Sequence, residues 1–88
     1  MTDRLIRSSA DMVVLWRARI AELGLTHFEV DQIAGMPTGY CNKILNAKKR
    51  PGAKTIERMC GALALAFVPV VDAEREVIVR PEWVRRRR

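Results

Sequence analysis

The chain of 88 residues carries a single histidine, two cysteines, one tyrosine and five glycines. Each scarcity excludes something. With His27 alone there is no Ser/His/Asp set with a supporting motif, and the scattered glycines form no phosphate-cradling loop. So short a chain also has little length from which to close a pocket, and an enzyme is not expected. Cys41, Cys60 and His27 are three conceivable metal ligands without a close-spaced pair, too few for a structural zinc site. Both cysteines fall at apolar helical positions, so buried reduced thiols are expected, in keeping with a cytoplasmic compartment. No apolar run approaches the ~20 residues that span a bilayer, and no secretory h-region opens the chain, so no membrane partner is expected. There is no repeat, no low-complexity linker, and no motif that calls for a cofactor or a small-molecule ligand.

What is present is a small globular core and an uneven charge. Hydrophobic residues make up 49% of the sequence, which argues against disorder for the body of the chain. The length allows one small domain. Formal net charge is +6. Residues 1–35 hold four bases against five acids, whereas residues 36–60 hold six against one. Residues 61–88 hold six against four, and four of those bases are the terminal Arg85 to Arg88. A basic patch concentrated in one stretch suits an anionic partner, most often nucleic acid, and equally, on composition alone, a solubilising surface.

Hydrophobic spacing predicts four helices. Ser8-Ser-Ala-Asp11 has the form of a capping box, and Met12, Val13, Trp16, Ile20 and Leu23 follow at helical spacing until Gly24. Thr26-His-Phe-Glu29 is a second box; it opens a short helix with Val30, Ile33 and Ala34 that ends at Gly35. A third helix is expected from about Thr38 to Asn46, with Cys41, Ile44 and Leu45 turned inward. After Pro51-Gly52, the spacing of Ile56, Met59, Cys60 and Leu63 predicts a fourth over roughly 53–65. Phe67-Val-Pro-Val-Val71 and Val77-Ile-Val79 are β-branched runs flanking a charged segment, the pattern of a hairpin in which Pro69 confines its strand to an edge or a bulge.

The second and third helices are too short to persist alone, and only about three residues, Gly35-Met36-Pro37, join them. Two such helices must cross sharply, with Met36 in the angle as core. This is the layout of a helix-turn-helix, whose second helix enters the DNA major groove by its N-terminal half. Gly24-Leu-Thr-His27, Val30, Gly35-Met36, Ile44, Pro51, Thr55-Ile56, Met59 and Ala62-Leu63 also follow one another as in a known family. In order and spacing they resemble the Cro/C1-type (XRE-like) helix-turn-helix proteins over residues 12 to 66.

The resemblance implies a four- or five-helix DNA-binding domain, often a dimeric repressor. It implies base reading by Thr38, Gly39, Tyr40, Asn42 and Lys43. Phosphate contacts fall on Thr26, His27 and Asn46, and on Lys48, Lys49 and Arg50 after the third helix. Side-chain chemistry agrees: asparagine pairs bidentately with adenine, and lysine donates to guanine O6 and N7. The bland readings are that Tyr40 covers the core edge and that the other polar residues are solvated surface. Three positions depart from the family pattern. His27 stands where glutamine is frequent, Pro37 replaces a small polar cap, and Asp31 occupies a site usually held by buried alanine. A carboxylate there must be partnered or solvated.

The expected protein is therefore mainly α: a four-helix, lambda-repressor-like helix-turn-helix domain over residues 1–66, with residues 67–88 as a C-terminal β-hairpin or extended arm and an arginine-rich tail. Its expected function is a cytoplasmic, sequence-specific transcriptional regulator, a homodimeric repressor of double-stranded DNA that occludes a palindromic operator. Val77, Val79 and Trp83 are candidate dimer contacts, although Trp83 could equally pack over the hairpin. Arg85 to Arg88 could hold phosphates or fray. The rival expectation is a protein-binding module, an antitoxin or anti-activator, on the same scaffold.

Overall fold

The computed structural model describes residues 5–77. Four helices run in order: α1 Ser9–Leu23, α2 His27–Ala34, α3 Tyr40–Leu45 and α4 Ala53–Ala62. α2 packs on both α3 and α4, and α1 packs on α3. None of these helices is long and apolar enough to cross a membrane.

The starts of α1 and α2 follow from their sequence. Ser8 accepts from the Asp11 N–H at 3.2 Å. The expected reciprocal bond shifts by one residue: the Asp11 carboxylate accepts from the Arg7 N–H at 2.8 Å. The second box is complete, with Glu29 N–H donating to Thr26 Oγ1 at 3.1 Å and Thr26 N–H to Glu29 Oε1 at 2.9 Å. The backbone bond from Thr26, and then its side-chain bond, hold the Glu29 carboxyl below the usual carboxylate range.

The ends share one device. A left-handed residue lets the following N–H groups return to the last turn. Gly24 and Gly35 serve α1 and α2, whereas Ala47 (φ 58°) and Ala64 (φ 54°) serve α3 and α4. Lys48 N–H reaches Lys43 O and Leu65 N–H reaches Cys60 O, each at 2.9 Å. The fourth helix therefore stops at Ala62, three residues before the expected Leu65, because Ala64 turns left-handed.

The core is Trp16, Ile20, Val30, Met36, Cys41, Ile44, Leu45, Met59 and Leu63, with Met12, Val13 and Ile56 packed against it. Met36 fills the angle between α2 and α3, as its place in the turn predicts. Leu15 joins the buried set, while Leu23 and Ile33, expected on inward faces, are exposed. Burial pushes the Cys41 thiol up to about 11, with neighbouring Asp31 adding to the rise, so it stays protonated at neutral pH.

Beyond α4 the expected hairpin is not seen. Phe67–Val71 forms no strand, and among the described residues there is none. Instead the segment runs irregularly with Val68 83% and Val71 93% exposed, into a turn closed by Arg75 N–H on Asp72 O. Its partner run reaches the described residues only at Val77; Val79, Trp83 and Arg85 to Arg88 lie outside them. Pro69 cannot donate to a ladder, and the charged Asp72–Glu76 turn is held elsewhere. Arg7 Nε and Nη2 grip Asp72 at 2.5 and 3.0 Å, and Nη2 also reaches Glu74 at 3.0 Å. This fork joins the two ends of the described chain across a cleft of about 570 Å³ lined by Leu5, Met12, Phe67 and Val70 among others.

Two expectations follow for the fold. An L-residue held left-handed is strained by ~1–2 kcal/mol, partly offset by the freedom glycine adds to the unfolded chain. Ala47→Gly and Ala64→Gly should therefore each raise stability by about 0.5–1 kcal/mol, as a higher urea midpoint at unchanged slope. The second concerns Asp72, whose carboxyl the hydrogen bonds from Arg7 lower from 3.8 to about 2. A depressed carboxylate contributes its stabilisation above its unfolded value and loses it as pH falls through the folded one. The Arg7 clamp should thus be intact above pH 4 and release towards pH 2, as an NMR titration of the Asp72 carboxyl carbon would report.

Candidate nucleic-acid interface

The connection between α2 and α3 is built around Asp31, which is only 1% exposed. Its backbone carbonyl accepts from Met36 N–H at 2.9 Å. Its carboxylate accepts from Gly39 N–H through Oδ2 and from Cys41 N–H through Oδ1, both at 2.8 Å. A buried carboxylate is costly unless bonded, and the first N–H groups of a helix lack intrahelical partners. Each need meets the other here. The acid that departed from the family pattern is an N-cap supplied by a neighbouring helix.

This also settles where α3 begins. Tyr40 N–H donates to Pro37 O at 3.1 Å, and Gly39 (φ 88°, ψ −7°) has the third-position geometry of a type II turn. Thr38 and Gly39 therefore lie in the turn, and the helix starts at Tyr40 rather than Thr38. A side chain at residue 39 would be strained by its positive φ even though the space around it is open.

Cys41, Ile44 and Leu45 are buried, so α3 turns Asn42 and Lys43 to solvent beside the exposed Thr38. Tyr40 is half-buried at the margin. Lys49 Nζ stands 4.8 Å above its ring centroid. A hydrogen bond with Thr55, and then the nearby charge of Lys49 and Arg58, lower the Tyr40 hydroxyl from its usual value. Tyr40 thus both covers the core edge and anchors the basic loop.

The far end of α3 carries a second network. Arg17, on α1, donates through Nη2 to Leu45 O at 2.5 Å and to Asn46 Oδ1 at 3.0 Å. Asn46 Nδ2 in turn donates to Asn42 O at 2.9 Å and to Asn42 Oδ1 at 2.8 Å. Asn46, expected to touch phosphate, is therefore engaged with Arg17 and Asn42. Arg17 completes the C-terminus of α3 as Asp31 completes its N-terminus, each with the charge that complements the helix dipole.

Of the remaining expected contacts, Lys48, Lys49 and Arg50 are exposed just past α3, and Lys49 joins Tyr40. Thr26 Oγ1 accepts in its capping box, leaving its hydroxyl hydrogen out of that bond, and half-buried His27 opens α2. Sequence reasoning passed over Arg17 and Arg58. Arg58 donates to Gly35 O at 3.4 Å and flanks Tyr40. Its signal was its place in the basic interval, one turn beyond Thr55. Arg17 lies in the acidic half of the chain and has no local signal.

Comparison of the chain with family models, with curated proteins and with solved structures gives no match.

The cap is directly testable. Asp31→Ala would orphan two backbone donors and should cost about 2–4 kcal/mol in denaturant unfolding. Asp31→Asn keeps one acceptor oxygen and should lose roughly half as much.

Proposed function

We propose that this chain is a sequence-specific DNA-binding regulator, acting in the cytoplasm as a homodimeric repressor, with α2 and α3 as a helix-turn-helix of the Cro/C1 kind. The observation that carries the reading is the exposed side of α3. A six-residue helix is held at both ends by side chains from other helices, the buried Asp31 and the exposed Arg17, and it turns Asn42 and Lys43 outward. The same stretch of chain holds Lys48, Lys49, Arg50, Lys54 and Arg58, with Glu57 the only acid between residues 36 and 60. A rigid donor-bearing helix bordered by cations suits base edges in a major groove flanked by phosphates.

In this reading Lys43 donates to guanine, Thr38 and Tyr40 sit at the groove edge, and Lys48, Lys49 and Arg50 hold the backbone. Thr26 and His27 offer donors at the start of α2. A two-fold dimer would place its recognition helices about 34–36 Å apart. Repression by occluding promoter DNA needs neither a cofactor nor catalysis.

One observation favours the second reading, a protein-binding module. Phe67, Val68, Val70, Val71 and Val77 are all exposed, and an apolar run of this kind suits a protein partner, whether a second copy or another chain.

Selection of bound duplexes from a random pool at physiological salt separates the two. The DNA reading expects a palindromic winner; no enrichment at any salt would favour the protein-binding module. On the selected site, Lys43→Ala should relax base choice and cost about 1–3 kcal/mol. Lys48→Ala should weaken every sequence alike and reduce the salt slope by about one unit.

A further inference from the structure

Resting on the DNA-binding reading, we infer that Arg17 is a positioning residue. Through Asn46 it sets the polarity of the Asn42 amide, so that Asn42 reads hydrogen-bond acceptors and does not pair bidentately with adenine.

A guanidinium has only donors. The Asn46 group facing Arg17 Nη2, at 3.0 Å, must therefore be its oxygen. That orientation obliges the Asn46 NH₂ to face α3, where it donates to Asn42 O and Oδ1. Asn42 Oδ1, accepting at 2.8 Å, is thereby turned back along the helix towards Asn46. The Asn42 NH₂ is left to face solvent from the exposed side of α3.

Adenine recognition needs both halves of the amide: the oxygen accepts from N6–H while the nitrogen donates to N7. Asn42 Oδ1 keeps a second lone pair, but its bond from Asn46 holds it turned towards Asn46, so Asn42 meets DNA through its NH₂ as a donor. Guanine O6 and N7, or thymine O4, are the major-groove acceptors that fit. The chain of command starts on α1, outside the two helices that form the interface, at a residue held to α3 by its bond to Leu45 O.

The test is a matrix of binding measurements on the selected operator, with each of the four base pairs substituted in turn at every position. Asn42→Ala locates the base pair that Asn42 reads, as the position where discrimination disappears. There the intact protein should prefer an acceptor-presenting base over adenine by about five- to tenfold. Arg17→Met frees the Asn46 amide to rotate and should erase that preference or shift it to adenine, with discrimination at the Lys43 position unchanged. Arg17→Lys, still donor-only, should retain the preference. Asn46→Ala leaves the Arg17 bond to Leu45 in place, so it tests the relay even if Arg17→Met unfolds, and it should shift the preference as Arg17→Met does.

An adenine preference in the intact protein would overturn the proposal. So would retention of the acceptor preference in Asn46→Ala, equal weakening at all base pairs in a folded Arg17→Met, or an Asn42→Ala variant that keeps every discrimination. A failure of the DNA-binding reading looks different: the intact protein then enriches no duplex at all.

Discussion

The Asp31 carboxylate, almost fully buried, holds Gly39 and Cys41 N–H at 2.8 Å each. Six residues make a helix far below the length that persists alone in water. α3 survives because its first N–H groups are met by a charge from α2, while Cys41, Ile44 and Leu45 bury its inner side. The same bonds fix the direction in which α3 leaves the turn, and with it the outward side that carries Asn42 and Lys43. The dependence is mutual, since the carboxylate tolerates burial only because those two donors are there.

α1 supplies the complementary half of this arrangement. Arg17 meets the Leu45 carbonyl at the C-terminus of α3, and Arg19 Nε donates to Leu63 O at the end of α4 at 2.9 Å. The two arginines are two residues apart, about 200° around the helix, so they reach different neighbours. Helix ends that would otherwise expose carbonyl groups are closed by long side chains with apolar stems and cationic heads. One consequence is electrostatic: the acids of residues 1–35 are largely spent on caps, and the exposed interval after α3 keeps its cationic excess.

Much of the helical layout was legible because its signals are local. Two hydroxyl–acid pairs mark the starts of α1 and α2, and two glycines mark their ends. α3 and α4 are stopped by Ala47 and Ala64 just past their ends, which carry no such mark, because alanine gives no hint that it will be held left-handed. The expected hairpin is not seen among the described residues for a related reason. β-branched runs around Pro69 have strand propensity, but propensity becomes a strand only where a partner satisfies its backbone. The charged turn was drawn instead to Arg7. At the candidate site, Asn42 and Lys43 lie exposed, as the helical period of Cys41, Ile44 and Leu45 requires, while Thr38 and Lys48 to Arg50 are exposed in the flanking turns. The partners of Tyr40 and Asp31 and the bond from Arg17 to Asn46 were not legible, since each joins different segments of the chain.

The sequence by itself determined the number and order of the helices, the inward trio of α3, and the concentration of positive charge after it. These follow from periodicity, local capping and charge count, which act over a few residues. Only the tertiary structure decided that Asp31 caps α3, that the helix begins at Tyr40, and that Arg17 orders the amides of Asn46 and Asn42. The physical reason is that a hydrogen bond needs its donor and acceptor within about 3 Å, and only folding brings α1, α2 and α3 that close.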